Sequence, residues 1–258
     1  MLKLALEKEL TEFSANPIDA VEGGLIVAQI IDRNAEVDWF RQELDRLAFE
    51  IGPGPAIHIV ECLRNKGFIG AKDNYYSLDN SRLDIVMRTK QGIPITLALV
   101  VMGVTQKTEI DVQGINFPRH FMLRIGDQFV DPFAMRIASS EELSKWLTEN
   151  RVNAQDAFQV ATPSQIVNRM LNNIRMLFQQ TREYVRALEI SDYQLMLVPE
   201  NYVIYLERAE IWGNLGDSDM VVGELRKALE FSPGPDFSKR VEERLVSLEG
   251  LSPPADLN

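Results

Sequence analysis

Apolar and polar positions recur along this chain with two different periods, and the change from one period to the other organises it. In "AEVDWFRQELDRLAFEIG", Val37, Phe40, Leu44 and Leu47 return at spacings of three and four, which is one face of a helix, and Gly52 before Pro53 ends the run. Residues 16–32 predict an earlier helix, with Asn16 as its N-cap and Pro17 at the first helical position, where a missing N–H costs nothing. "PAIHIVECLRNKGF" predicts another, with Ala56, Ile59, Val60 and Leu63 on one face. "DNSRLDIVMRTKQG" predicts a short fourth helix. Asp79, Asn80 and Ser81 compete for its N-cap, Ser81 and Asp84 have the spacing of a capping box, and Gly92 stops it. Residues 92–105 then run for 14 positions without a charge, too few to span a bilayer, and predict a buried helix from Pro94.

Beyond that helix the period falls to two. "IDVQGI", "HFMLRI" and "QFVDPF" are short strand-like runs, so helices precede strands in an α+β arrangement. Gly126-Asp127 is a two-residue hairpin turn that pairs Ile125 with Gln128, Leu123 with Val130 and Met122 with Asp131. In that register His120 and Asp131 share a face on a diagonal, their β-carbons roughly 7 Å apart or less.

From about residue 165 the pattern is helical again. Pro199 and Pro233 each close a helix and stand 34 residues apart, the tetratricopeptide period. Counting back by that repeat's offsets gives Phe178 and Trp212 at the aromatic position, Ala187 and Val221 at the first small position, and Gln194 and Ala228 at the second. The first copy is degraded, with Arg182 and Gln194 where Gly and Ala are usual, and "DFSKRVEERLVSLEG" is expected to cap the array. These readings predict two domains, residues 1–164 and residues 165–258, the latter comprising two repeats, a capping helix and a loose tail. By the same offsets Asn172, Gln179, Gln180, Glu210 and Asn214 would line a concave groove, although a solvated polar face has the same pattern.

Composition narrows the function classes. The 258 residues are 45% hydrophobic and 25% charged, ordinary for a globular protein with a sizeable core. A net charge of −11, with acid in excess in both halves, argues against a partner that is a nucleic acid or an acidic membrane surface, because such binding depends on Lys and Arg neutralising phosphates. "MLKLALEKELTEF" mixes charges into its apolar positions and does not resemble a secretory signal, so a cytoplasmic location is expected. One cysteine allows no internal disulfide and no Cys-rich zinc pattern. His58 and Cys62, four apart on one helix, lack the two further ligands of a metal site and read as a buried thiol beside a partly exposed imidazole. No glycine pair follows a strand with phosphate-loop spacing, so neither a metal nor a cofactor is expected.

The residues "NYY", "DNSRLDIVMRTKQGIPITLALV", "GINFPRHFMLR" and "VDPF", followed by the 34-residue pair, resemble a bacterial family that joins a transglutaminase-like core to tetratricopeptide-like repeats and includes proteins described as up-regulators of invasion-gene expression. The likeness runs from about residue 20 to residue 235. It implies a cysteine at the N-terminus of the buried helix, one residue beyond a Gly-hydrophobic pair, where helix N–H groups and a histidine activate the thiol. After Gly92-Ile93 that position is Pro94. The family's histidine and aspartate map onto His120 and Asp131. The usual Pro-Gly-His is here Pro118-Arg119-His120, which puts a basic side chain at the mouth of the site.

Two functional expectations follow. In the first, the core is catalytically degenerate, His120 and Asp131 are a retained hydrogen-bonded pair that stabilises the hairpin, and the protein acts on a protein or peptide partner through its cleft and helical repeats as a regulatory factor. In the second, it is an amide or ester hydrolase or an acyltransferase with His120 as base, Asp131 as its orienter, and a hydroxyl or water in place of the thiol. Ser81, Thr96 and Thr89 are the hydroxyls to weigh, Ser81 being more readily explained as a cap.

Overall fold

The computed structural model describes residues 2–118, 120–153 and 157–250. The chain divides into two compact units, Met1–Met170 and Leu171–Asn258. The first is α+β. It begins with α1 (Leu2–Ala15), which turns Leu6, Leu10 and Phe13 inward, and α2 (Ala20–Ile31). Asn16 does not cap α2. Its N–H bonds back to the carbonyls of Glu12 and Phe13, which makes it the end of α1, and the Asp19 carboxylate caps α2 by accepting the Val21 N–H at 2.8 Å. α3 (Val37–Ile51) ends on Gly52 at φ +67°, and α4 (Ala56–Asn65) follows.

The predicted fourth helix divides in two, into a single 3-10 turn at Leu78–Ser81 and α5 (Leu83–Thr89). Ser77 caps the turn by accepting the Asp79 N–H, and α5 begins after Arg82 with no side-chain cap, so Ser81 is not a cap and there is no capping box with Asp84. Asp84 is drawn into a tertiary contact instead. Buried at 2% exposure, it pairs with Arg82 at 2.7 Å and accepts the Glu36 N–H at 3.1 Å, which ties the entry of α3 to α5. Gly92 does not stop the helix either. Lys90 does so in the left-handed region at φ +63°, and Gly92 falls in β2 (Gln91–Gly92), parallel to β1 (Ile69–Gly70).

α6 (Pro94–Lys107) is the axis of this unit. Every residue from Pro94 to Thr105 is buried, against α2, α3, α5 and the strands, as expected of a helix that is apolar on all sides. The antiparallel sheet runs in the order β3 (Val112–Ile115), β4 (Met122–Ile125), β5 (Gln128–Asp131), β6 (Arg136–Ile137). α7 (Ser140–Asn150) covers a second cluster of Ile115, Phe117, Met122 and Leu143, where the Phe117 and Trp146 rings lie 4.5 Å apart.

The α7 entry carries a capping box. The Ser139 hydroxyl accepts the Glu142 N–H at 3.2 Å, and Glu142 accepts the Ser139 N–H at 2.9 Å while holding both arms of Arg136 at 2.8 and 2.7 Å. The Arg136 bond, with that of the Ser139 N–H, lowers the Glu142 carboxyl to about 2. A depressed carboxylate stabilises the fold above its unfolded pKa and loses that contribution as pH falls through the folded value. An NMR titration is therefore expected to find Glu142 still ionised at pH 3, and Arg136→Gln to return its midpoint toward the ordinary glutamate range.

α8 (Pro163–Gln180) contains the division between the units. The second unit continues as α9 (Tyr184–Leu197), α10 (Tyr202–Leu215), α11 (Ser218–Glu230) and α12 (Pro235–Glu249). Its core joins Ala209, Val221, Leu225, Ala228, Phe237, Val241 and Leu245. The tail expected after this helix lies outside the described residues. Among the described residues no helix is long and apolar enough to cross a membrane.

Candidate functional site

The β4–β5 hairpin has the expected register, Ile125 opposite Gln128 and Leu123 opposite Val130. It brings His120 Nε2 to 3.0 Å from Asp131 Oδ1, each side chain 20% exposed. The same Oδ1 accepts the Phe133 N–H at 2.9 Å and the Ala134 N–H at 3.1 Å. Burial pushes the Asp131 carboxyl up, but the bond from His120 and the two backbone N–H groups outweigh it and hold the acid below its ordinary value. An ionised carboxylate only accepts, so the proton of the shared bond sits on Nε2, and Nδ1 is the ring nitrogen that the acid leaves unbonded. Nδ1 has no hydrogen-bond partner among the described residues. Asp131 thus has two roles: it orients the imidazole and it shapes the turn after β5.

The loop before α5 is held by Asn80. Its side-chain amide donates to the carbonyls of Asn74 and Tyr75, and its own carbonyl accepts the Thr96 hydroxyl at 2.8 Å. Thr96, wholly buried, also accepts the Ile93 N–H at 3.2 Å, so its oxygen is spent on closing the start of α6. A β-carbon on Gly92 would stand 2.7 Å from that hydroxyl, which is why the position has no side chain. Pro94, buried, is the first residue of α6, as expected. Ser81 is buried in its 3-10 turn, and the exposed Thr89 bonds the Ile85 carbonyl at 2.9 Å. Cys62 Sγ lies 3.8 Å from His58 Nδ1, while His58 Nε2 meets the Ile51 carbonyl at 2.9 Å. Among the described residues no thiol or hydroxyl is bonded to His120. Arg119 lies outside the described residues.

Three neighbours were not singled out from sequence. The Phe133 ring lies against Gly70, where a β-carbon would come within 2.4 Å of it, and Tyr75 meets Phe133 edge-on at 5.9 Å. Arg169, on α8, donates to Asn116 Oδ1 at 2.6 Å and to the His120 carbonyl at 2.9 Å, with longer contacts to the Phe117 carbonyl at 3.4 and 3.5 Å. Its signal in the sequence is a lone cation among Ile166, Val167 and Met170 on a helix face that is otherwise core.

In the second unit the residues expected along a groove part company. Gln180, Glu210 and Asn214 are exposed, Asn214 accepting the Tyr184 hydroxyl at 3.3 Å. Asn172 and Gln179 instead give their oxygens to Arg175, each at 2.6 Å. Arg175 is 1% exposed, meets Glu207 at 2.6 Å and donates to Gln194 at 3.2 Å. This explains the two large residues at positions where the next copy is small. Thirty-four residues on from Arg175 and Gln194 stand Ala209 and Ala228, both wholly buried. Among the described residues no group of three or more His, Cys, Asp or Glu side chains could hold a metal ion.

A family model described as "Transglutaminase-like superfamily" matches residues 39–172. The chain is 23% identical to a UPF0162 protein of Vibrio cholerae over 90% of its own length and 93% of the relative's. It is 28% identical to a UPF0162 protein of Pseudomonas aeruginosa, covering 80% of this chain and 82% of that one. Protein SirB1 of Salmonella typhimurium is 21% identical over 70% of this chain and 71% of its own. No solved structure matches.

Proposed function

The chain belongs to the transglutaminase-like superfamily, and from that premise we propose that it is a non-catalytic member, a regulatory or protein-interaction factor that binds a protein or peptide partner. One observation carries the reading: the His120–Asp131 pair is intact, yet the position at which the family resemblance requires a thiol is Pro94, and no described thiol or hydroxyl bonds the imidazole. An oriented base with no attacking atom has nothing to activate except water or a bound ligand.

The helical unit supports the interaction role as a tetratricopeptide-like segment. α9 and α11 start 34 residues apart, and the turns before them place Arg182 at φ +61° and Gly216 at φ +80°, the same left-handed step at equivalent positions. Repeats of this kind present faces to extended partners, and the exposed Gln180, Glu210 and Asn214 suit a polar peptide. The acid excess suits a protein partner better than a nucleic acid, and a cytoplasmic location belongs to the same proposal.

The rival, an amide or ester hydrolase or acyltransferase, draws on the partial exposure of His120 and its unpartnered Nδ1. Hydrolysis of an aryl ester and an aryl amide by wild type and His120→Ala separates the two. Equal rates are expected, and a wild-type rate about tenfold or more above the variant's overturns the non-catalytic reading. Capture of partners by the immobilised full chain, compared with His120→Ala and with Glu210→Lys, then assigns binding to the cleft or to the helical face.

A further inference from the structure

Five arginines in the described residues are not exposed, and four of them have a carboxylate within hydrogen-bond reach: Arg82 with Asp84 at 2.7 Å, Arg136 with Glu142 at 2.7 Å, Arg175 with Glu207 at 2.6 Å and Arg208 with Glu224 at 2.8 Å. The fifth is Arg169. Among the described residues its partners are all neutral, the Asn116 amide oxygen, the carbonyls of Phe117 and His120, and the Phe121 ring, whose centroid lies 5.7 Å from the guanidinium carbon. A partly buried cation without an anion is costly, and an acidic chain with 38 carboxylate side chains has had ample means to supply one.

The position of Arg169 gives the charge a use. Its guanidinium bonds the His120 carbonyl, His120 bonds Asp131, Asp131 accepts the Phe133 N–H, the Phe133 ring meets Tyr75, and the Tyr75 phenol in turn lies within the electrostatic reach of Arg169. Four contacts and one longer-range electrostatic interaction join the five residues into a ring. Three polar groups on it have no hydrogen-bond partner among the described residues: the Arg169 Nε–H, the Tyr75 hydroxyl and His120 Nδ1. Asp131 is not that anion: it makes no ion pair with Arg169 among the described residues, and its Oδ1 is turned to His120 and two backbone N–H groups. Tyr75 is 39% exposed and its neighbour Tyr76 70%, so the ring opens to solvent along an aromatic edge.

We infer that this ring is a carboxylate-binding site: the ligand of the His120 cleft carries a carboxylate whose charge Arg169 balances and whose oxygens accept from the Arg169 Nε–H and the Tyr75 hydroxyl. A carboxylate is the anion of choice because two separate donors match its two oxygens, whereas a phosphate would leave a third oxygen facing the aromatic wall of Tyr75 and Phe133. The inference rests on the reading of the cleft as a binding site and names the chemistry of what it takes.

The test uses the full chain labelled with 15N. The two histidines, His58 and His120, give two imidazole spin systems, so His58 serves as the internal control. Sodium acetate is titrated at fixed pH and constant ionic strength against sodium chloride, with inorganic phosphate in a parallel arm. The expected result is a saturable shift of the His120 ring and the Arg169 Nε–H with acetate, none at His58, and phosphate weaker by about tenfold or more. Arg169→Met is expected to abolish the saturation and Tyr75→Phe to weaken it about tenfold. If Arg169→Met does not fold, Tyr75→Phe carries the test, because its ring is already partly exposed. A linear, unsaturable shift with acetate, phosphate binding tighter than acetate, or an unchanged affinity in Tyr75→Phe would each overturn the assignment. Its failure is distinct from that of the non-catalytic reading, which falls only if wild type turns over esters faster than His120→Ala.

Discussion

Replacing Arg175 by alanine is expected to destabilise the protein by about 3–5 kcal/mol, among the largest effects of any single substitution in the second unit. The guanidinium is 1% exposed and serves Gln194, Gln179, Asn172 and Glu207 at once. Burial lowers the proton affinity of Arg175 and raises that of Glu207, so desolvation opposes both charges and their mutual attraction offsets only part of the cost. The intact pair therefore contributes little net stability, while half of it is expensive to keep. It follows that Arg175→Ala/Glu207→Gln should recover part of what Arg175→Ala loses, since the stranded carboxylate is gone and what remains is the cavity and the lost bonds to Gln194, Gln179 and Asn172. Urea denaturation of the wild type, both single variants and the double variant gives the coupling. Additive losses would mean that packing alone holds this face. The pH dependence has a definite sign. A carboxyl raised in the folded state favours the fold below its unfolded pKa and loses that favour as pH rises through the folded value, so Arg175→Ala should be least deficient at acid pH and most deficient at neutral pH.

The second large effect belongs to the hairpin. Asp131→Ala is expected to cost about 3 kcal/mol, because one oxygen accepts from the His120 ring and from the backbone of Phe133 and Ala134, and its removal leaves two partly buried N–H groups without an acceptor. Asp131→Asn keeps an oxygen in place and should cost about 1 kcal/mol. The two differ further in acid. The Asp131 pKa is depressed in the folded state, so its contribution is full above the unfolded value of about 4 and is lost as pH falls through the folded value. Wild type should therefore lose more stability than Asp131→Asn as pH drops below about 4, with thermal melts as the measurement. Equal acid sensitivity would mean that the carboxylate charge adds nothing beyond the turn.

Local pattern was enough to read much of the architecture. The buried helix from Pro94 followed from 14 uncharged positions, and the hairpin register followed from Gly126-Asp127, because a two-residue turn leaves only one way to pair the strands. That register carried His120 to Asp131. The readings that failed share a cause. Asn16, Ser81 and Gly92 all have the residue type of a helix boundary, but each has a neighbour that competes for the role or a stronger commitment elsewhere. Asp19 caps α2, Asp84 is taken by Arg82 and the Glu36 N–H, and Lys90 adopts the left-handed turn while Gly92 makes room for the Thr96 hydroxyl.

By itself the sequence determined the α+β order, a proline at the start of the buried helix, and a 34-residue spacing in the helical part, because helix period, strand period and residue identity are local properties of the chain. Only the tertiary structure decided which of the unexposed arginines lacks an anion, that Arg175 and Gln194 form a bonded pair where the next copy has two buried alanines, and that Cys62 makes no bond to His120. Those facts depend on which distant side chains the fold brings within bonding reach, and a charge in isolation carries no record of its partner.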